Sequence, residues 1–210
     1  MPKQPDLRER IVDAALALAE QRGWERVRLF DVAAALGVTL DDVRRHFSEK
    51  EDVIEAWFDR ADAALLKAAA APELPALPGR ERLHGLIMAW LAALAPHRGP
   101  TRQMIYGRFE PGHVHFQVRG LLRVSRTVQW VREGARRDAA YASRALEETV
   151  LTGIYLAAFF HWMNDASENS TATARLLEQL LRGAELLPAF AFARDAPPAA
   201  QPPAPGAPPA

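Results

Sequence analysis

The chain has 210 residues, of which 49% are hydrophobic and 25% are charged, a composition that can bury the cores of one or two domains. It has no cysteine, which excludes disulfide frameworks and thiolate metal or redox sites. The 26 basic and 26 acidic residues balance, so any binding of nucleic acid or membrane must come from the local arrangement of charges rather than from net charge.

The first predicted helix lies between Asp6 and Gly23. Asp6 and Glu9 have the spacing of a capping box, and apolar residues recur on one helical face up to the glycine. Gly23 is expected to end the helix, because glycine readily adopts the backbone conformations that terminate helices. Trp24 should then fold back onto the last turn of the apolar face.

Residues 28–50, RLFDVAAALGVTLDDVRRHFSEK, predict two short helices joined by a tight turn. Apolar residues recur at helical spacing on both sides of Gly37, so each segment offers one face to a common core. Thr39, with Asp42 three residues later, is a start signal for the second helix, because its hydroxyl can accept a free backbone N–H and an acid suits the helix dipole. This is the pattern of a helix-turn-helix.

A longer amphipathic helix is predicted next, with Ser48 as its cap and Leu66 near the end of its apolar face. It can connect the small N-terminal unit to the rest of the chain. Pro72, Pro75 and Pro78 then interrupt the chain and mark its clearest boundary.

The remainder is predicted to be helical, followed by a proline-rich tail. The expected helices cover about residues 83–94, 104–109, 114–137, 141–163 and 176–186. The fourth is apolar on nearly all sides from Val150 onward, which suits burial inside a bundle or against a second subunit. From Asp195 the chain lacks apolar periodicity and should be disordered. No strand alternation is present, so the predicted fold class is all-α, divided into residues 1–62, 63–190 and a tail over 191–210.

The stretches IVDAALALAEQRGW and DVAAALGVTLDDVRRHFSEKEDVIEAW together resemble the N-terminal domain of the TetR family of bacterial repressors. The resemblance covers roughly residues 8–60, and the matching residues are Gly23, Val32, Ala33, Gly37, Val38, Phe47 and Lys50. It implies a TetR-like fold, in which an N-terminal three-helix domain with a helix-turn-helix binds DNA. It also implies a C-terminal helical bundle that forms a homodimer and holds a ligand.

Eight residues are candidate DNA contacts, either because the resemblance implies the contact or because their polar groups could reach DNA. They are Arg28, Thr39, Leu40, Asp42, Arg44, Arg45, His46 and Lys50. The family usually has a threonine where Arg28 stands, and a tyrosine that touches phosphate where Arg44 stands. We expect Arg44 to replace that tyrosine as a phosphate contact.

Acidic residues complicate the predicted DNA contact, because the family usually has small residues where Asp41 and Asp42 stand. An aspartate can accept a hydrogen bond from a cytosine amino group, but a pair of aspartates also repels phosphate. Residues 1–60 carry ten basic and thirteen acidic residues, a net charge of −3 where a DNA-binding surface is usually basic. Without the family spacing, a helix hairpin inside a bundle would be the plainer interpretation, with the aspartates serving only as caps.

The stretch LEETVLTGIYLAAFFHWMNDASENSTATARLLEQLL has a second resemblance, to the lipid-binding accessory proteins of ubiquinone biosynthesis, which share the TetR fold without regulating genes. The similar features include Gly153 and Tyr155 on the apolar helix and Asp165 with Ser167 in the turn after it. The membrane-seeking C-terminal helix of those proteins has no clear counterpart, because LLPAFAFARD is short and leads into the proline-rich tail.

Both resemblances imply an apolar cavity in the C-terminal bundle, and eight large side chains are candidates to line it. They are Trp90, Met104, Tyr106, Phe109, Trp130, Tyr155, Phe159 and Trp162. For each of them, packing in the core is the alternative interpretation. A series of arginines, Arg119, Arg123, Arg126, Arg132, Arg136 and Arg137, is spread around its helix. We expect it to form a solvated face or part of a dimer contact, with an acidic ligand as the alternative.

Other chemistry is not indicated. No P-loop, dinucleotide fingerprint, nucleophile elbow or zinc-protease motif is present, so neither an enzyme nor a cofactor is expected. His113 and His115 flank Val114, but without cysteine or a carboxylate cluster nearby no metal site is expected. No apolar run reaches the roughly 20 residues of a membrane span. The N-terminus lacks the apolar core of a signal peptide, so we expect a cytoplasmic protein without stable membrane insertion.

The predicted function is that of a homodimeric TetR-like regulator. Two recognition helices would enter successive major grooves of a palindromic double-stranded DNA operator. A small apolar effector in the bundle would favour a dimer geometry that no longer fits the operator, and so release the repressor. The alternative is a relative that does not bind DNA and holds an isoprenoid or other lipid for an enzyme of ubiquinone biosynthesis.

Overall fold

Helices account for nearly all of the regular structure in the computed structural model, which describes residues 6–107, 114–187 and 190. The α-helices of these ranges are α1 (Leu7–Arg22), α2 (Leu29–Leu36), α3 (Leu40–Arg44), α4 (Lys50–Ala69), α5 (Gly79–Leu94), α6 (Arg98–Gly107), α7 (Val114–Gly134), α8 (Tyr141–Trp162) and α9 (Thr171–Ala184). Short 3₁₀ turns lie at Trp24–Arg26, Leu74–Ala76, Ala95–His97 and Glu168–Ser170. The predicted all-α fold class is confirmed.

The N-terminal unit forms because α1, α2 and α4 pack their apolar faces together. Ile11, Val32 and Phe47 are buried in this core. Gly23 ends α1 with φ +85°, a conformation that favours glycine, and its N–H donates to the carbonyl of Ala19. The predicted end of the first helix is therefore confirmed.

Two of the predicted helix caps differ from the structure. Asp6 is the N-cap residue of α1 as predicted, but its side chain makes no capping hydrogen bond. Ser48 does not cap α4, because the side chain that accepts the Asp52 N–H is that of Glu49. Asp52 in turn accepts the backbone N–H of both Ser48 (2.9 Å) and Glu49 (3.1 Å). The reciprocal pair is thus Glu49 with Asp52, which moves the helix start by one residue.

Two leucines assigned to apolar helix faces are exposed. Leu66 lies next to the buried Leu65, and one residue along a helix turns the side chain to another face, which here meets solvent. Leu186 follows the end of α9 at Ala184, so it does not share the buried face of that helix.

The bundle is built on α4, which packs against α5, α7 and α1. α4 runs without a break through residue 62, so one helix belongs both to the N-terminal unit and to the bundle. Gly134 ends α7 where a Cβ atom would lie 3.0 Å from both Ala69 Cβ and Leu86 Cδ1. Glycine therefore allows α7 to pack closely on α4 and α5. The predicted tail over residues 191–210 lies outside the described residues.

Candidate nucleic-acid interface

The turn between α2 and α3 forms as its residues predict. Gly37 adopts the left-handed conformation (φ 65°, ψ 32°), and the next residue, Val38, donates its N–H to the carbonyl of Ala33 at 3.0 Å. Thr39 Oγ1 accepts the backbone N–H of Asp42 at 3.1 Å, and Asp42 Oδ2 accepts the backbone N–H of Thr39 at 3.0 Å. These two hydrogen bonds form a capping box, so Asp42 stabilises the start of α3.

Ion pairs within α3 occupy both arginines predicted to contact phosphate. Asp41 Oδ1 accepts Arg44 Nη2 at 2.8 Å, and Asp41 Oδ2 accepts Arg45 Nη2 at 2.7 Å. Arg45 Nη1 also donates to Asp42 Oδ1 at 3.3 Å. The hydrogen bond from Arg44 and the charge of Arg45 hold the pKa of Asp41 below its usual value. We call Asp41, Asp42, Arg44 and Arg45 the recognition-helix cluster; its groups are open to water, so phosphate can compete for the arginines.

The other two predicted cations point back toward their own domain. Arg28 Nη1 donates to the carbonyls of Glu25 and Val27. Lys50 Nζ donates to the carbonyl of Trp24 at 2.7 Å and lies 4.8 Å from the centre of the Trp24 ring. Neither cation extends freely from the helix-turn-helix.

The remaining candidates differ in exposure. Leu40 is 52% exposed at the start of α3, and His46 is half-buried after its end. Phe30, which the sequence analysis did not select, is 59% exposed in the first turn of α2. Its position lies off the buried stripe that Val32 and Ala33 occupy, and that pattern could have indicated its exposure.

Four residues predicted to line a ligand cavity meet in one aromatic cluster. The ring centres of Trp90 and Tyr155 are 5.3 Å apart, those of Trp90 and Phe159 are 5.5 Å apart, and Trp162 stacks on Phe159 at 6.0 Å. The cluster also includes Phe58 of α4, whose ring stacks on Trp90 at 5.8 Å and which the sequence analysis missed.

The other four cavity candidates differ in burial. Met104 is buried on α6, whereas Tyr106 and Trp130 are exposed. Phe109 lies outside the described residues. Elsewhere, a pocket of about 180 Å³ is lined by Gly79, Arg80, Leu83, Arg137, Leu181, Glu185 and Phe190, none of which was a cavity candidate.

A buried polar cluster lies beside the aromatic rings. Asp62 of α4 accepts hydrogen bonds from Trp90 Nε1 (2.8 Å), Thr127 Oγ1 (3.1 Å) and Arg123 Nη2 (2.8 Å). Burial raises the pKa of Asp62, although Arg123 opposes the shift, and burial also raises the pKa of the Tyr155 hydroxyl. We call Asp62, Trp90, Arg123 and Thr127 the bundle cluster.

The prediction of a solvated face is wrong for two arginines of the α7 series. Arg123 and Arg132 are buried rather than part of a solvated face. Arg123 pairs with Asp62, and Arg132 pairs with the buried Glu147 of α8 at 3.3 Å. The reason is that carboxylates of α4 and α8 supply buried partners for these two positions of α7.

Over the ranges that the structure covers, no three or more histidine, aspartate or glutamate side chains are grouped as a metal site would require. The same part of the chain contains no helix with the length and apolarity that crossing a membrane demands. His113 and the side chain of His115 fall outside the described residues.

The family model described as "Bacterial regulatory proteins, tetR family" matches residues 11–57, which contain the whole helix-turn-helix. No curated protein matches the chain significantly.

Solved structures of similar chains include a TetR transcriptional regulator from Nitrosomonas europaea ATCC 19718. It is 51% identical to this chain, with a TM-score of 0.78, and the match covers 86% of this chain and 99% of that one. Two structures from Rhodococcus sp. RHA1 show similarity of fold alone. A TetR transcriptional regulator has 17% identity, a TM-score of 0.59 and coverage of 83% and 95%. A TetR-like transcriptional regulator has 20% identity, a TM-score of 0.51 and coverage of 88% and 100%.

Proposed function

The chain belongs to the TetR family of transcriptional regulators, and from this membership we propose that it is a cytoplasmic repressor that binds a palindromic DNA operator as a homodimer. Residues 1–62 would contact DNA, and residues 63–190 would form the dimer and hold a small apolar effector whose binding releases the operator. The observation that carries the proposal is a capped recognition helix with two exposed arginines, inside the segment that the family model matches.

Operator binding requires the arginines to exchange partners. Arg44 and Arg45 share Asp41 in the free protein, and a phosphodiester offers the same kind of anionic oxygen. Because all three side chains face water, the exchange exposes no buried charge. Thr39, Leu40 and His46 lie next to these arginines in the chain and would complete the contact with DNA.

The aromatic cluster supports the effector part of the proposal. Trp90, Tyr155 and Phe159 come from α5 and α8 and meet beside the polar groups of the bundle cluster. A ligand site in a helical bundle typically combines such apolar walls with a few polar groups. An apolar effector would enter by displacing some of these rings from one another.

A second candidate function is favoured by the recognition-helix cluster itself. Asp41 and Asp42 together balance the charge of the two arginines best placed for phosphate. Residues 1–60 also carry a net charge of −3. These features fit a TetR-fold protein that does not bind DNA and instead holds an isoprenoid or other lipid for a partner enzyme. The same aromatic cluster would then contact the lipid.

Binding of the purified protein to DNA from its own promoter region, measured across a salt series, tests the proposal. We expect a specific complex whose log affinity falls linearly with log salt concentration. The R44A/R45A double variant should bind more weakly, with a slope shallower by about 0.9 for each phosphate that the variant no longer neutralises. Arg102→Ala, which removes an exposed arginine of α6, is the matched control and should change neither quantity.

The opposite result identifies the second candidate. If the wild-type protein binds no promoter DNA even at low salt, and lipid co-purifies with it, the repressor proposal is wrong and the lipid carrier is supported. Mass spectrometry of the purified protein in native buffer detects any lipid that co-purifies with it.

A further inference from the structure

Trp24 is held from two directions by side chains that are distant in the sequence. It is the buried first residue of the 3₁₀ turn between α1 and α2. Its backbone N–H donates to Gln103 Oε1 of α6 at 2.6 Å, and its carbonyl accepts Lys50 Nζ from the start of α4 at 2.7 Å. The Trp24 backbone is thus hydrogen-bonded both to α6 of the bundle and to the first residue of α4, the helix that follows the recognition helix.

The environment of Lys50 matches a structural role for its charge. Its ammonium group lies over the Trp24 ring at 4.8 Å and is half-buried. Burial lowers the pKa of Lys50, while the charge of Glu25 opposes that shift. To reach a phosphate, the ammonium group would have to abandon both the carbonyl and the ring of Trp24.

α6 fits closely against the same turn. A Cβ atom on Gly107 would lie 2.7 Å from Glu25 Oε1, and one on Gly23 would lie 3.3 Å from Gln103 Oε1. A side chain at either glycine would therefore have to displace the end of the Glu25 or the Gln103 side chain. A shift of α6 along or away from the turn must disturb the Gln103 contact, and through Trp24 the position of Lys50.

We propose that Gln103 and Lys50 are positioning residues that hold the Trp24 peptide between them, and so set the recognition helix relative to the bundle. Lys50 begins α4 only six residues after Arg44 ends α3, so the position of Lys50 limits where the recognition helix can lie. The inference rests on the proposed function, since positioning matters for an operator. It assigns Lys50 a role other than phosphate contact.

Salt dependence of operator binding separates positioning from phosphate contact. Lys50→Met keeps most of the aliphatic stem and removes the charge, and Gln103→Met removes the acceptor for Trp24. Each variant should weaken binding by about fivefold, the effect of removing one hydrogen bond, at every salt concentration. The slope of log affinity against log salt should stay at the wild-type value in both, whereas Arg44→Ala should make it shallower by about 0.9 per protomer. A slope in Lys50→Met that falls as far as in Arg44→Ala overturns the inference, because Lys50 would then contact phosphate.

Amide hydrogen exchange tests the same coupling without DNA. Gln103→Met should speed the exchange of the Trp24 N–H and of the amides of residues 50–53 at the start of α4. Arg102→Met, an exposed neighbour on α6, should change neither region. If Gln103→Met leaves residues 50–53 unchanged, the coupling does not exist and the inference is wrong. If the exchange responds but the wild-type protein binds no operator, the positioning role holds and the repressor proposal is wrong.

Discussion

The recognition-helix cluster and the bundle cluster use the same chemistry in opposite surroundings. Asp41 meets Arg44 at 2.8 Å, and Asp62 meets Arg123 at the same distance. The Arg44 and Asp41 side chains are 73% and 50% exposed, whereas those of Arg123 and Asp62 are 6% and 10% exposed. Equal contact distances therefore do not imply equal roles, because water or phosphate can replace one partner and not the other.

Separation along the chain reinforces the difference. Asp41 and its arginines are three and four residues apart on one helix, so their contacts organise nothing beyond α3. Asp62 and Arg123 are 61 residues apart, and Asp62 also accepts a hydrogen bond from Trp90. The bundle cluster thus joins α4, α5 and α7, while Arg44 and Arg45 of the recognition-helix cluster can change partners without disturbing the fold.

The largest effect is expected when the bundle cluster loses its cation. Arg123→Ala would leave the Asp62 carboxylate buried without its counter-charge, which typically costs about 3–5 kcal/mol of unfolding free energy. Chemical denaturation followed by circular dichroism measures this loss. Arg126→Ala, an exposed position one turn further along α7, should change the free energy by less than about 0.5 kcal/mol. Equal losses in the two variants would show that burial does not distinguish Arg123.

Asp165 sharpens the comparison, because it is a buried carboxylate held by hydrogen bonds rather than by an arginine. It accepts the Ser167 N–H at 2.8 Å and both the N–H (2.9 Å) and hydroxyl (2.6 Å) of Thr173. Burial alone would raise the pKa of Asp165, but these hydrogen bonds outweigh it and hold the pKa well below the usual 3.8. Asp165→Asn should therefore cost about 2 kcal/mol at pH 7, because an amide nitrogen would face some of these donors.

The pH dependence of that loss follows from the lowered pKa of Asp165. The unfolded chain takes up a proton near pH 3.8 before the folded one does, so the stabilisation is complete well above this pH and is lost as the pH falls below it. The difference in unfolding free energy between wild type and Asp165→Asn should narrow in that range. Asp138→Asn, at an exposed position, is the control. Parallel stability curves for wild type and Asp165→Asn down to acid pH would contradict the assignment.

Local signals were predictable from the sequence. Thr39, Gly37 and Asp42 lie within five residues of one another, so residue type and spacing sufficed to predict the turn and the cap of α3. Ser48 was predicted wrongly because Ser48 and Glu49 are adjacent residues that could each cap the helix, and spacing alone did not decide between them. The pairing of Asp41 with both arginines was also local, and helical spacing could have indicated it.

Contacts between distant segments were beyond prediction from periodicity. Lys50 and Trp24 are 26 residues apart, and their contact depends on how α1 and α4 cross. The burial of Arg123 depends on carboxylates of α4, so the pattern of α7 alone predicted only a solvated face or a dimer contact for the arginine series. Helix periodicity identifies a buried face, but the partner of a buried charge is decided by the packing of whole helices.

The smallest effect on stability is expected at Asp41, where operator affinity should respond instead. Asp41→Asn removes the acid that Arg44 and Arg45 share, so each protomer would present one more net positive charge to phosphate. The denaturation midpoint should stay close to that of wild type, because every group involved faces water. Operator affinity at low salt should rise, and the slope of log affinity against log salt should steepen by about 2 per dimer.

Asp42→Asn is the contrasting variant, since it weakens the cap of α3 and should lower the affinity. If Asp41→Asn instead loses operator binding, the Asp41 carboxylate itself contacts the DNA, and its pairing with the arginines orients it for that contact.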